Sequence, residues 1–131
     1  MPTDIRIIQA HDYLKVTPEG KLDLKASKEL LMEIASSMGY LAEYEILVDT
    51  RKAQTEMSES DLSYLASDLI NFDQTFHQKT ALLCPAERIN RAKFFALFAQ
   101  NQGYRVEAFD SFEEAIGWLI SNATGRSHLD P

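Results

Sequence analysis

At 131 residues, with 45% hydrophobic and 25% charged residues, the chain suits one compact domain with its own core and leaves no room for a second. A formal charge of −7, from 20 acidic against 13 basic residues, excludes a general nucleic-acid binder, whose affinity comes from phosphate neutralisation, and would be repelled by anionic membranes. Cys84 is the single cysteine, so no internal disulfide forms. The start Met1-Pro2-Thr3-Asp4 has neither the basic nor the apolar stretch of a signal peptide, and no run approaches membrane-spanning length, so a cytoplasmic protein without membrane insertion is expected.

Ile5 and Ile7, then Tyr13, Leu14 and Val16, form two short runs split by Ala10-His11-Asp12, which predicts an N-terminal hairpin whose second strand ends at a turn over Pro18-Glu19-Gly20-Lys21. Asp23 is placed to cap a helix with Leu30, Leu31, Ile34, Ala35 and Met38 at helical spacing, closed by Gly39. The continuous apolar run Ile46-Leu47-Val48, ending in Asp49, has the pattern of a strand buried on both faces. A polar loop, Thr50 to Met57, leads into a helix carrying Leu62, Leu65, Ala66, Leu69 and Ile70, with Ser58 and Asp61 forming a capping box.

Within His77 to Cys84, the run Thr80-Ala81-Leu82-Leu83-Cys84 predicts a second buried strand, and Pro85 fits the first position of a helix that runs towards Gln102-Gly103. Tyr104 to Phe109 then reads as a strand, and Ser111 with Glu114 opens a last amphipathic helix that closes on Trp118-Leu119. The element order is ββαβαβαβα. It predicts a single α/β domain over residues 1–121, with a five-stranded, mostly parallel sheet, an antiparallel edge from the initial hairpin and right-handed crossovers. Residues 122–131, with little to dock, are expected to form a frayed tail.

The element order, the Leu47-Val48-Asp49 strand end and the ending from Phe109 through Ala115 to Trp118-Leu119 together resemble the SpoIIAA-like family, the STAS-type domains that include anti-sigma-factor antagonists. The resemblance covers roughly Ile5 to Ile120. It implies a β-α superhelix and a regulatory serine at the start of the helix after the central strand, for which Ser58 and Ser60 are the candidates. The family segment D-x-S-x-x-x-x-D-S-S-G is replaced here by Asp49 through Ser60 without Asp-Ser-Ser-Gly. Glu56, Glu59 and Asp61 also place carboxylates beside any phosphate, which favours the reading of Ser58 as a plain helix cap.

Cys84 sits where a strand gives way to a helix, a position that can stabilise a thiolate. His77 lies on the same extended segment, facing the opposite side and roughly 20 Å away, so no dyad forms. Asp49, if close, would raise a thiol pKa, and Cys84 reads as a small buried apolar residue. Glu113 and Glu114 diverge by about 100° on a helix and do not pair as acid and base. His11, His77 and His128 are scattered without nearby partners, so neither a metal nor a cofactor is assigned. None of the five glycines builds a phosphate-binding loop.

Two features invite a ligand or a partner. Arg51, Lys52, Arg88 and Arg91 all follow strand ends, where open α/β sheets bind ligands, and form a candidate anion site, though solvated surface charges give the same pattern. Phe94, Phe95 and Phe98 make the apolar sector of the Ala86–Gln102 helix unusually broad. They are candidates for a homodimer or protein interface, or for the wall of a pocket for lipid or another small molecule. Coverage within the domain, by the Trp118 helix, is the alternative. With no paired catalytic groups in view, the expected function is a non-enzymatic regulatory or protein-interaction module. A carrier of Sec14-like type is the second expectation.

Overall fold

The computed structural model describes the backbone of residues 4–10, 13–38, 45–72, 76 and 78–128, and side chains from 13 to 120 apart from 37–44, 73–75 and 77. The expected turn at His11 and Asp12, the helix stop at Gly39 and the strand entrance at His77 lie outside the described residues.

Strands β1 (Asp4–Ala10) and β2 (Tyr13–Leu22) pair antiparallel in the register Ile7↔Val16. The expected turn at Pro18 is absent, because β2 runs straight through Pro18 and Gly20 to Leu22. Its other edge explains the tolerance. Residues Tyr13 to Val16 pair parallel with β3 (Glu45–Asp49), whereas Gly20 to Leu22 pair parallel with β4 (Ala53–Thr55), and Pro18 falls between the two ladders. A residue without an N–H breaks no ladder bond on that edge. Gly20, inside this strand, has a φ of 98°, which glycine adopts without strain.

Strand β4 corrects the reading of Thr50 to Met57 as a loop: its three residues are too few to show an alternation, and they form a strand only because β2 offers an open edge. The main sheet has the order β1-β2-β3-β5-β6, with β5 (Thr80–Leu83) and β6 (Val106–Phe109) parallel to β3.

Helix α1 (Leu24–Met38) is capped by Asp23, whose Oδ1 accepts from the Ala26 N–H at 2.9 Å. Helix α2 (Glu59–Asp68) continues into a 3-10 turn over Leu69–Phe72. Pro85 stands one step before the position expected for it. It precedes a 3-10 turn, Ala86–Arg88, that feeds α3 (Ile89–Asn101). Gly103, at φ 96°, ends that helix, with the Tyr104 N–H returning to the Ala99 carbonyl. Helix α4 (Phe112–His128) continues in backbone past Asn122, where the sequence reading ends the domain; no proline interrupts it before Pro131.

The sheet divides two cores. Ile46, Val48, Val106 and Ala108 face α1, α2 and α3, whereas Leu47, Ala81 and Leu83 face Ala115 and Leu119 of α4. The period-two alternation of strands β3 and β5 therefore assigns every second side chain to a different layer.

Candidate functional site

The layer of α1, α2 and α3 does not close over the sheet. Leu82 points from the middle of β5 to that layer, between buried Thr80 and Cys84, yet remains half-buried. Above it lies a cavity of about 130 Å³. Leu30, Leu31 and Ile34 of α1 wall one side, at spacings that put them on one helical stripe, and Leu62 and Leu65 of α2 wall another. Ala92 and Phe95 of α3 complete it, with Val48, Leu82 and Val106 as its sheet floor.

The lining of the cavity is nearly all apolar and differs in exposure along its length. Phe76, Leu69, Thr80 and Val106 are buried, whereas Met57, Ala92 and Phe95 are half-buried and Arg91 is exposed. Arg88 also lines the rim. Its guanidinium donates to the Thr50 carbonyl at 2.9 Å and to Thr55 Oγ1 at 3.2 Å, tying the β3–β4 connection to the start of α3.

The four expected anion-site residues separate. Arg88 and Arg91 stand at the cavity rim, whereas Arg51 turns to the α4 side and clasps Asp49 through Nε to Oδ1 and Nη2 to Oδ2, both at 2.9 Å. Its guanidinium carbon also lies 6.0 Å from the centroid of the Phe112 ring. Lys52 is exposed in the turn after it. Asp49 is only 5% exposed. Burial pushes its carboxyl up, but the hydrogen bonds and charge of Arg51, with a further pull from Lys15, outweigh burial and hold it below the usual carboxylate range.

Cys84 lines the cavity and is buried. Burial pushes its thiol up, Arg88 opposes this, and Asp110 and Glu87 add to the rise. A protonated thiol is a poor nucleophile, which agrees with the reading of Cys84 as a buried apolar residue. Among the described residues, no three His, Cys, Asp or Glu side chains cluster as metal ligands. The structure also has no described helix long and apolar enough to cross a membrane.

Ser58 caps α2 reciprocally: its hydroxyl accepts from the Asp61 N–H, and its own N–H donates to Asp61 Oδ2, each at 3.1 Å. Ser60 is exposed in the first turn. The three phenylalanines do not act together. Phe95 packs on the core beside the cavity, whereas Phe94 and Phe98 pair edge to face with centroids 4.8 Å apart. Leu97 is 56% exposed. The Trp118 helix does not cover α3, since α4 lies on the opposite face of the sheet.

Sequence reasoning missed Lys79 altogether. It is 1% exposed, and its ammonium donates to the carbonyls of Trp118 at 2.6 Å and Leu119 at 2.8 Å, with Glu45 Oε2 at 3.8 Å. One signal was available: Glu45 and Lys79, of opposite charge, each stand immediately before an apolar run, and those runs became neighbouring strands.

By sequence, no family model and no curated protein matches the chain. By structure, an uncharacterised Shewanella loihica protein of the DUF3478 family with a SpoIIAA-like fold superposes with a TM-score of 0.60 at 16% identity, over 90% of this chain and 94% of that one. This domain has the SpoIIAA-like fold. SpoIIAA itself, an anti-sigma factor antagonist in its unphosphorylated form, matches with a TM-score of 0.54 at 16% identity, over 93% of this chain and 99% of its own. An anti-sigma factor antagonist from Mycobacterium paratuberculosis matches with a TM-score of 0.60 at 11% identity, over 89% and 93%. The fold expected from element order is thus the observed one.

Proposed function

We propose that this SpoIIAA-like domain is a non-enzymatic binding module whose ligand is a small amphiphilic anion. The observation that carries this reading is the cavity over Leu82, apolar along its walls and bordered at one end by Arg88 and Arg91. At about 130 Å³ it is close to the size of cavity, about 150 Å³, that stays dry and admits a benzene-sized group. That volume suits a short alkyl chain or one ring, and is small for a long-chain lipid. Two arginines at the rim give an anionic head its counter-charge, on a protein whose net charge of −7 would otherwise repel it.

Titration with hexanoate by calorimetry tests this. Saturable binding is expected, and Ala92→Phe, which fills the space between α3 and β5, should abolish it while circular dichroism stays unchanged. Hexanoate binding that persists in a folded Ala92→Phe protein would place the ligand elsewhere.

The likeness to anti-sigma factor antagonists favours a second reading, in which the module acts by binding a protein partner. The exposed Leu97, beside the Phe94–Phe98 pair, is the contact point this reading would use. Partner binding retained after Phe94→Asp would remove the α3 version of it.

A further inference from the structure

Thr80 sits at the buried end of the cavity, beside Phe76, Leu69 and Val106, and is 4% exposed. Its backbone is fully engaged in the sheet: the N–H donates to the Arg105 carbonyl at 2.9 Å, and the residue pairs with Ile46 and Val106. Its hydroxyl is different. Thr80 Oγ1 is buried and has no hydrogen-bond partner among the described residues.

A buried polar atom left without a partner carries its full desolvation penalty, so such atoms are rare and call for a reason. Packing does not supply one here, because valine has the same shape, is a better strand former on a buried face and leaves nothing unpaired. The described residues that line that end of the cavity, Leu69, Phe76 and Val106, carry hydrocarbon side chains. Turning χ1 by one staggered step moves the hydroxyl of a threonine to another of the three staggered positions on Cβ, so the group can be re-aimed towards an occupant of the cavity without moving the strand.

From this we infer that the ligand carries a hydrogen-bonding oxygen or nitrogen at its buried end, which pairs with Thr80 Oγ1, so that the cavity selects a hydroxyl- or carbonyl-bearing apolar group over the bare hydrocarbon. The inference rests on the cavity reading above and adds the chemistry of the ligand's inner end. It makes the ligand polar at two points, an anion at Arg88 and Arg91 and a hydrogen-bonding atom at Thr80.

The pair toluene and p-cresol isolates the effect, since the two differ by one hydroxyl. Dissociation constants for both would be measured by protein-detected NMR on the intact chain and on Thr80→Val and Thr80→Ser. The expected result is that Thr80→Val shifts the ratio of the two constants about tenfold against p-cresol, the size of one buried hydrogen bond gained or lost. Thr80→Ser, which keeps the hydroxyl, should restore the preference, and Thr80→Val without ligand should melt at a higher temperature than the parent. If both compounds bind but their ratio is the same in the parent and Thr80→Val, the Thr80 inference is overturned and the cavity reading stands. If neither compound binds, the cavity reading falls and takes the inference with it.

Discussion

The ammonium of Lys79 donates 2.6 Å to the carbonyl oxygen of Trp118 and lies 4.9 Å from the centroid of the same residue's ring. A lysine that is 1% exposed has given up its water, and two carbonyls of α4, the Trp118 π face and the Glu45 carboxylate replace it. The contact joins the entrance of β5 to the helix that covers the other face of the sheet. Lys79→Met should lower the unfolding free energy in urea by about 3 kcal/mol or more, because it leaves the Glu45 carboxylate in a dry site without that cation. Adding Glu45→Gln should return part of the loss. A single variant as stable as the parent would show that the ammonium contributes nothing net.

Asp49 predicts an acid limb. Its carboxyl is held below the usual range because Arg51 outweighs the effect of burial. A group whose pKa is lower folded than unfolded contributes stability above its unfolded pKa, about 4, and loses it as pH falls through the folded value. Asp49→Asn should therefore be less stable than the parent at neutral pH, with the difference shrinking as the pH drops below about 4. Urea midpoints from pH 7 down to the acid transition would show a constant gap if Asp49 were not the titrating group.

Arg88 links the cavity rim to the β3–β4 turn through Thr50 and Thr55. Arg88→Ala removes two hydrogen bonds from a charged donor, worth about 2 kcal/mol together. It should also weaken hexanoate more than toluene, since only the former carries an anion. Equal losses for both would mean that Arg88 acts through the shape of the cavity alone.

Ser58 is a structural cap on α2 whether or not it is ever modified. Ser58→Ala should cost about 1 kcal/mol by loss of the hydroxyl that accepts from Asp61, whereas Ser58→Asn, another good cap, should cost little. Phosphate at that oxygen would have to displace the Asp61 N–H bond and face the carboxylates of Glu59 and Asp61. Melting temperatures of the two variants separate the capping role from any other.

The readable parts of this fold are those whose pattern is local. The buried runs at Ile46–Val48 and Thr80–Leu83, the caps at Asp23, Ser58 and Ser111, and the glycine end of α3 are each set by neighbours in sequence, and each formed where expected. Pro18 and Ala53–Thr55 were misread because their structure depends on β2 having an edge left over after β3 departs, a fact about pairing partners rather than about the residues themselves. The candidate site was legible only in fragments. Arg88, Arg91 and Phe95 were singled out and stand around one cavity, but Arg51 was grouped with them although strand alternation puts Asp49, its partner, on the opposite face. Thr80 gave no signal at all, since an unpartnered hydroxyl is defined by what surrounds it.

The sheet that separates the two cores also separates the chain's two natural probes. The sole tryptophan, Trp118, packs on Phe109 beneath α4, with ring centroids 5.6 Å apart, while the sole cysteine faces the cavity on the other side. Tryptophan emission will thus report on the α4 layer, whereas the rate at which a thiol reagent reaches the buried Cys84 will report on opening of the layer formed by α1, α2 and α3. The two layers of the domain can be followed separately in one chain, and a ligand in the cavity will show as an upward shift of the unfolding midpoint.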